Sequence, residues 1–169
     1  MPQAAEGAFE FGRSRGLDLR TAALEDAGIP RAAFDAVSLF DVLEHLLDPL
    51  TIVTAAIDLL TPGGILFLYV PNYDSASRLL MGSHAHFIWP THHLNYYTPI
   101  TIRDLMSRSG LDTEYVATEG LDIVDYLWYR REVLGKSDEG IAEIADTLQF
   151  LVNAGAYGKN LRVIARKRA

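Results

Sequence analysis

The chain has no cysteine among its 169 residues. This absence excludes disulfide bonds, thiolate zinc sites and cysteine nucleophiles. Long apolar runs are also absent, since no stretch reaches the roughly 18 residues that a transmembrane helix requires. The N-terminus lacks the basic region and apolar stretch of a secretory signal peptide. We therefore expect a cytoplasmic protein that has no membrane partner.

Basic residues are outnumbered by acidic ones, 15 to 22, and the formal net charge is −7. Nucleic-acid-binding proteins usually present a basic face, so this balance argues against a nucleic-acid partner. Hydrophobic residues make up 49% of the chain and charged residues 22%, which is typical of a soluble globular protein. The length suits one domain with a sizeable core, and we predict a single domain over residues 1–169.

Two glycine-rich motifs that often reveal a function are missing from the sequence. There is no Gly-x-Gly-x-x-Gly and no Gly-x-x-x-x-Gly-Lys-Ser/Thr. These patterns mark dinucleotide-binding turns and phosphate-binding loops, respectively. Whatever ligand the protein takes, no glycine-rich loop of these kinds within the chain holds it.

The middle of the chain has the pattern strand, helix, strand. Phe34–Phe40 is almost wholly apolar, as expected of a central strand that is covered on both faces. Asp48 suits the N-cap of a helix with Pro49 at its first position, and residues 65–70 form a second apolar strand. The short connections predict a parallel pair joined by a right-handed crossover.

The remaining segments alternate between helices and strands. Apolar spacing and the positions of glycine, proline and capping residues mark their bounds. Helices are predicted at residues 3–15, from Thr98 to Gly110, at residues 121–134 and from Ser137 to Asn153; strands are predicted at residues 17–24, 111–117 and 161–165. This order predicts an α/β domain.

Ligands of open parallel sheets bind beyond the carboxyl ends of the strands. In this sequence Asp41, Glu44 and His45 follow the first apolar strand, and Asn72 and Tyr73 follow the second. We expect the two groups to share one rim and to form a ligand-binding edge. The alternative is structural, with Asp41 as a cap and His45 as a packed histidine.

A second group of candidate residues lies in HAHFIWPTHH, residues 84–93, which contains four of the five histidines. Histidine commonly binds metals, but this spacing matches no zinc motif. A metal-dependent hydrolase and a surface loop without a role remain as alternatives. The preferred interpretation assigns no metal site and treats the segment as a lid over an organic substrate. The substrate-binding candidates are Asn72, Tyr73, His86, Trp89, His92 and His93.

Four segments resemble, in order, parts of class I S-adenosylmethionine-dependent methyltransferases: FDAVSLFDVLEHLLDPL, LTPGGILFLYVPN, HHLNYYTPITIRDLMSRSGL and NLRVIARK. The resemblance is closest to the broad group of ubiquinone-type O-methyltransferases and sugar or glycan-cluster methyltransferases. It covers nearly all of residues 2–117 and 160–168. Its specificity lies in the combination of Val-Leu-Glu-His, Pro-Gly-Gly and a strand that ends in Pro-Asn.

The resemblance implies a Rossmann-like, three-layer α/β/α fold with seven strands, the last of them antiparallel. On that plan residues 17–24 resemble the third strand, Phe34–Phe40 the fourth and residues 65–70 the fifth. The closing hairpin and the helical insertion that interrupts it correspond to residues 111–117, 161–165 and 118–159. Insertions of this kind commonly shape the acceptor pocket or a subunit contact.

In the family, a first strand, a glycine-rich loop, a helix and an acidic residue precede the helix that residues 2–17 resemble. The chain contains none of these and so resembles the C-terminal two-thirds of a methyltransferase, incomplete at its N-terminus. We expect it to bind S-adenosylmethionine weakly or not at all by itself, and to be inactive alone. The resemblance implies adenine-side contacts at Leu24, Glu25 and Asp26 and methionine-side contacts at Phe40, Asp41 and Val42.

The function implied by the resemblance is methyl transfer from S-adenosylmethionine to a small-molecule or glycan-type acceptor, as an O-methylation. His45 is the candidate general base because imidazole titrates near neutral pH, with Glu44 and Asp41 beside it. These three could instead hold a divalent ion that lowers the pKa of the acceptor. The alternative function is a non-catalytic binding or assembly domain, with a homodimer formed through an exposed sheet edge or the helical insertion.

Overall fold

The structure, a computed structural model, describes the backbone of residues 2–168 and the side chains of residues 7–24 and 26–168. The chain divides into two compact units, Met1–Pro30 and Arg31–Ala169. The first unit has one helix, α1 (Pro2–Ser14), and a short 3-10 turn at Leu24–Asp26. The second unit contains the sheet and the other helices. The prediction of one domain over the whole chain stays a prediction.

The strand predicted at residues 17–24 is wrong, because this segment is irregular up to its last residue, which starts the 3-10 turn. A strand requires a hydrogen-bonded neighbour, and none of the described residues of the first unit forms one. The polar side chains of this segment, which suggested the exposed face of a strand, form local contacts instead. Arg20 donates to the carbonyl of Ala27 at 2.5 Å and pairs with Asp18 at 3.2 Å. The preceding helix α1 is confirmed.

The second unit is built on a mixed four-stranded sheet. Its strands are β1 (Phe34–Phe40), β2 (Leu60–Pro71), β3 (Leu111–Glu119) and β4 (Asn160–Lys167). They lie in the order β1-β2-β4-β3. β1 and β2 are parallel, whereas β4 is antiparallel to both of its neighbours. The predicted parallel crossover and the antiparallel last strand are confirmed.

β2 begins at Leu60 and includes the Pro-Gly-Gly sequence that was expected to lie before the strand. The register jumps from the pair Phe34–Leu60 to the pair Ala36–Ile65, so β2 bulges out at this point. Gly63 has φ +76° there, a left-handed conformation that favours glycine. The glycine therefore shapes a bulge within the strand rather than a turn before it.

Six helices belong to the second unit. They are α2 (Pro49–Leu59), α3 (Ala76–Met81), α4 (Pro99–Arg108), α5 (Asp122–Trp128), α6 (Glu139–Ala142) and α7 (Ala145–Ala154), with a π-helical stretch at Tyr129–Val133. The capping signals read from the sequence are confirmed at Asp48, which accepts from Leu50 and Thr51, and at Thr98, which forms a capping box. The segment between β3 and β4 is helical, as predicted. Among the described residues, no helix is long and apolar enough to cross a membrane.

One face of the sheet forms the core. Its alternate residues on β2 and β4 are fully buried: Leu66, Leu68, Val70, Leu161, Val163 and Ala165. Helices α2 and α4 contribute Val53, Ala56, Ile102 and Met106, which are also fully buried. On the opposite face Phe67, Tyr69 and Ile164 are only half-buried. Tight packing in the described second unit is therefore concentrated on one side of the sheet.

The side chains of β1 are largely exposed, so the expectation that the strand is covered on both faces is wrong: Phe34 and Phe40 are 43% and 58% exposed. β1 also pairs only with β2 among the described residues, so it forms an edge of the sheet. The apolar run from Ala36 to Phe40 matches the composition of a central strand. Composition reports side-chain character, whereas the number of neighbouring strands is set by topology.

Asp122 connects the helical segment to the rest of the second unit. Its buried carboxylate accepts hydrogen bonds from the backbone N–H groups of Ser77, at 2.9 Å, and Lys159, at 2.8 Å. The Ser77 hydroxyl and the side-chain amide of Gln149 also donate to it. These bonds join α3, α5, α7 and the start of β4 at one point.

We expect Asp122→Asn to lower the free energy of unfolding by about 1–3 kcal/mol. The asparagine keeps the shape of the side chain but places an NH₂ group where two N–H donors need acceptors. Denaturant unfolding followed by circular dichroism measures the difference. The exposed Asp104→Asn is the matched control and should shift stability by less than about 0.5 kcal/mol. Equal midpoints for the two variants would contradict the role given to Asp122.

Candidate active site

The carboxyl ends of β1 and β2 meet at one rim, as the sequence predicted. The Asp41 N–H donates to the carbonyl of Tyr69 at 2.9 Å. Asp41 has φ +49°, which is uncommon for a residue other than glycine and turns the chain sharply after β1. A 3-10 turn at Leu43–His45 follows, in which Leu43 and Glu44 are buried and His45 is exposed. Of the two candidate catalytic residues on this turn, Glu44 is therefore shielded from solvent and His45 is accessible to it.

The stretch of residues 84–97, named here the histidine segment, is hydrogen-bonded to this turn. The N–H groups of Leu94 and Asn95 donate to the Glu44 carbonyl at 2.6 and 3.1 Å. The Asn95 side chain donates to the carbonyls of Leu43 and Leu46 at 3.1 and 2.6 Å. The two groups of candidate residues, about fifty positions apart, thus belong to one site.

Asn95 was not predicted to take part. An asparagine among histidines and tyrosines is a signal for side-chain-to-backbone bonding, but the sequence cannot show which carbonyls it meets. Tyr97, which was also missed, places its buried hydroxyl 3.4 Å from the Leu43 carbonyl. Burial raises the pKa of Tyr97 to about 12, and the nearby Glu44 carboxyl adds to this effect. Tyr97 is therefore a hydrogen-bond donor near neutral pH, not a base.

The imidazole of His45 is held in one tautomer. Its Nδ1 lies 2.9 Å from the backbone carbonyl of His92, which can only accept a hydrogen bond. Nδ1 therefore carries the hydrogen in the neutral ring, and Nε2 carries the lone pair. A general base requires this arrangement, with the reactive nitrogen free and the other anchored.

His93 is anchored in the same way. Its Nδ1 lies 2.8 Å from the carbonyl of Phe87, so that its Nε2 also carries a lone pair when neutral. The rings of His45 and His93 meet edge to face, with centroids 4.8 Å apart. One ligand atom each of Glu44, His45 and His93 lie within 4.8 Å of one another. Asp41, the third residue predicted for this role, is not in that group.

Glu44 is the buried member of the cluster. Its Oε1 lies 3.9 Å from His45 Nε2, and its Oε2 is buried without a hydrogen-bond partner among the described residues. Burial raises the pKa of Glu44 and outweighs the opposing effects of a backbone hydrogen bond and of His45; the charge of Asp41 raises it further. This carboxyl can hold a proton or face a cation more readily than an exposed one.

Two predicted substrate contacts lie at the end of β2. Asn72 is completely buried; its amide donates to the Gly158 carbonyl at 2.8 Å and its Oδ1 accepts from the Asp74 N–H at 3.1 Å. A direct contact with a substrate would break these bonds, so the geometry favours a structural role for Asn72. Tyr73 is partly exposed, and its ring lies 5.4 Å from that of Tyr96.

The histidine segment distributes its rings over different places. His92 stacks on Trp89, with centroids 3.9 Å apart, close to the His45 anchor. His86 instead lies against α5, where its Nδ1 is 3.7 Å from Asp125 Oδ1 and its ring is 5.1 Å from Trp128. The structure thus brings His92 and His93 to the cluster and directs His86 to the helical segment. An irregular segment has no periodicity from which this division could be predicted.

The predicted cofactor contacts fall in both units. In the second unit, Phe40 is 58% exposed at the end of β1, with its ring 5.3 Å from Phe67. Asp41 beside it is exposed, and Val42 is partly buried. In the first unit, Leu24, Glu25 and Asp26 form the 3-10 turn. Their cofactor contacts stay predictions.

We expect Glu44→Gln to stabilise the protein more at about pH 7 than at about pH 4 in metal-free buffer. The folded-state pKa of Glu44 lies above its unfolded value, so ionising it costs stability as pH rises through that range. Glutamine cannot ionise and avoids this cost. Thermal unfolding of both proteins at the two pH values measures the difference.

The matched control is Glu114→Gln. Its hydrogen bond to Arg166 lowers the pKa of Glu114, so this exposed carboxylate stabilises the fold at neutral pH and loses that effect as pH falls. The control should therefore show a small pH dependence of the opposite sign. If stability changed with pH in the same way for the two variants, the raised pKa of Glu44 would be contradicted.

Comparison with known proteins gives the class of this chain. A family model described as a methyltransferase domain matches residues 6–116, well over half of the chain. The chain therefore belongs to the methyltransferase domain family, whose class is that of the class I S-adenosylmethionine-dependent methyltransferases. Members of this class use S-adenosylmethionine as their methyl donor.

Among the relatives is a ubiquinone biosynthesis O-methyltransferase of Xanthomonas axonopodis pv. citri, 34% identical over 108 residues, which are 60% of this chain and 45% of the relative. Another, from Cereibacter sphaeroides, is 32% identical over 102 residues, 57% of this chain and 41% of the relative. The chain thus spans less than half the length of these curated relatives. The similarity to them is distant.

Solved structures support the fold. A Thermotoga maritima S-adenosylmethionine-dependent methyltransferase, described as a possible histamine N-methyltransferase, superposes with a TM-score of 0.63 at 15% identity. The alignment covers 94% of this chain and 68% of that structure. At this identity the likeness concerns the fold alone. The α/β fold with its mixed four-stranded sheet therefore matches the Rossmann-like methyltransferase fold.

Proposed function

We propose that the chain takes part in O-methylation of a small-molecule or glycan-type acceptor, with His45 as the general base. The observation that carries this proposal is the anchored tautomer of His45, whose Nε2 lone pair is fixed by the bond from Nδ1 to the His92 carbonyl. The side chain is also 44% exposed, so an acceptor can reach it. The distant ubiquinone O-methyltransferase relatives agree with an oxygen acceptor.

The residues present fit a methyl donor on its methionine side. Phe40, the last residue of β1, and Asp41 after it are exposed at the end of the strand where ligands of parallel sheets bind, and Val42 follows them. These three residues would hold the methionine part of S-adenosylmethionine. When bound, the cofactor supplies a methyl group on a positively charged sulfur, which is open to attack by an oxygen nucleophile.

The protein's own residues handle the proton. Nε2 of His45 would accept the proton of the acceptor hydroxyl as that oxygen is methylated, with the methyl group supplied by the bound cofactor. Glu44 Oε1, 3.9 Å from Nε2, stabilises the imidazolium that results. Asp41 adds negative charge at the same rim. Trp89, His92 and Tyr73 border the acceptor in this proposal.

His45→Ala should lower turnover by about 10²–10⁴-fold, because general-base catalysis contributes this much to rates. Because the chain alone is expected to be inactive, the assay uses a complete, active version of the protein and measures release of S-adenosylhomocysteine with an acceptor that this version methylates. His84→Ala is the matched control, since His84 lies in the same segment but against Tyr129, with centroids 5.2 Å apart. A loss below tenfold for His45→Ala, with unchanged folding, would return His45 to a structural role.

A second mechanism at the same site is favoured by the three converging ligand atoms. Glu44, His45 and His93 could bind a divalent cation, and the buried Glu44 Oε2 has no other described partner. Backbone carbonyls orient both rings through Nδ1, as outer-shell groups do for metal-bound histidines. Such a cation would lower the pKa of an acceptor hydroxyl, so that a weaker base could remove its proton.

His93→Ala distinguishes the two mechanisms. With a cation, the substitution removes a ligand and should weaken Mn²⁺ binding by at least about tenfold, because even outer-shell changes cost that much. Turnover should also fall after EDTA treatment and return with added Mn²⁺. Calorimetry with Mn²⁺, with His84→Ala as the control, measures the affinity. Unchanged turnover in EDTA would eliminate the cation and leave His45 acting alone.

Cofactor affinity of the chain by itself is proposed to be low. The 169 residues contain no Gly-x-Gly-x-x-Gly loop that would approach the cofactor. In the family this loop and an acidic residue each precede the helix that residues 2–17 resemble. Losing one charge-assisted contact from each costs about 3–6 kcal/mol of binding free energy, which is a factor of about 10²–10⁴ in affinity. Titration calorimetry with S-adenosylhomocysteine should therefore give a dissociation constant well above about 10 μM. A tighter constant would show that another part of the chain supplies these contacts.

A further inference from the structure

A cavity of about 440 Å³ lies between α3 and the histidine segment. None of its lining residues belongs to the Glu44, His45 and His93 cluster. Its walls are mainly apolar and include Tyr73, Ile88 and Pro90. This volume falls in the range of cavities that enclose small organic ligands, which typically combine apolar walls with a few polar groups.

The cavity and the candidate catalytic cluster share the histidine segment as a wall. Ile88, Pro90 and Tyr96 line the cavity, whereas His93, three residues before Tyr96, contacts the His45 ring. The N–H of Tyr73, at the end of β2, bonds to the Tyr97 carbonyl at 2.6 Å and fixes the segment to the rim. One fixed segment therefore contributes residues to both the cavity and the proposed catalytic cluster.

One polar group in the cavity wall has unused hydrogen-bonding capacity. It is Arg78, whose side chain makes a single hydrogen bond within the described structure, from Nε to the Tyr73 carbonyl. The Tyr96 hydroxyl also lacks a described partner, but it is buried, so a ligand in the cavity meets the Tyr96 ring and not its hydroxyl.

The guanidinium of Arg78 is fixed in position by its neighbours. Its guanidinium carbon lies 4.2 Å from the centre of the Tyr73 ring, and its side chain is 25% exposed. Asp74 Oδ1 is 3.6 Å away, beyond hydrogen-bond distance, and is half-exposed, so that water weakens this pair. The outer nitrogens of the guanidinium remain for a ligand. Their fixed, parallel N–H groups match a carboxylate best.

We propose that this cavity binds the methyl acceptor, and that the acceptor is a mainly apolar molecule with one carboxylate that pairs with Arg78. The inference rests on the proposed function for the role of the occupant. The apolar walls select the apolar body, and the arginine selects the charge.

The experiment compares two probes by titration calorimetry with the full chain: 2-naphthoate and the uncharged 2-naphthamide, which has the same ring system. Naphthoate should bind about 10–100-fold more tightly, the usual effect of a charge-assisted hydrogen bond. Arg78→Met should abolish this preference. Arg108→Met is the matched control, because Arg108 also pairs four residues back, with Asp104 at 3.7 Å, but does not line this cavity.

Two further variants keep the test decisive if Arg78→Met fails to fold. Ile88→Trp fills the cavity and should abolish binding of both probes. Tyr96→Phe is a second control and should leave the affinity for both probes unchanged, because the hydroxyl it removes is buried out of reach of a ligand in the cavity. Equal affinity for the two probes, no binding of either, or equal losses in Arg78→Met and Arg108→Met would overturn the proposal.

Failure of the cavity and failure of the proposed function give different results. If naphthoate does not bind while methyl transfer still depends on His45, the acceptor lies elsewhere and the proposed function stands. If naphthoate binding depends on Arg78 but His45→Ala leaves turnover unchanged, the cavity is a ligand site and the proposed mechanism is wrong.

Discussion

The candidate site depends on one backbone carbonyl. The oxygen of Glu44 accepts from the N–H groups of both Leu94 and Asn95, at 2.6 and 3.1 Å. These bonds hold the histidine segment against the turn that follows β1, and they bring the carbonyl of His92 to the His45 ring. Without them the imidazole would lose its anchor and His93 its neighbour. Because backbone N–H groups donate these two bonds, the bonds do not depend on which side chains occupy positions 94 and 95.

The helical segment between β3 and β4 takes part in the same organisation through buried polar groups. Asp122 binds the backbone of Ser77 and Lys159, and Asp125 receives the Lys159 ammonium at 2.6 Å. α3, which this carboxylate holds in place, carries Arg78 and forms one side of the cavity. A structural network and a proposed binding site are therefore continuous, since the bonds that fix α3 also determine where Arg78 lies.

Local sequence patterns predicted most of the second unit. Asp48 and Thr98 were expected to begin helices and do, because a side-chain oxygen can reach the first free N–H groups whatever the rest of the chain does. The strands from Phe34 to Phe40 and through residues 65–70 were also found. The prediction failed at residues 17–24, where an alternating pattern had no partner strand, and at β1, where the faces of an apolar strand are not both covered. Both errors concern neighbours, which a local pattern does not contain.

The sequence by itself determined most of the elements of the second unit, the parallel crossover, the rim where Asp41, Glu44 and His45 gather, and the class of protein. These follow from short-range sterics, hydrophobic period and the shared direction of strand ends. Only the tertiary structure decided that His93 meets His45, that His86 turns towards α5, and that Arg78 and Tyr96 border one cavity. These positions depend on hydrogen bonds between residues that lie far apart in sequence and follow no periodic pattern, so packing alone selects among them.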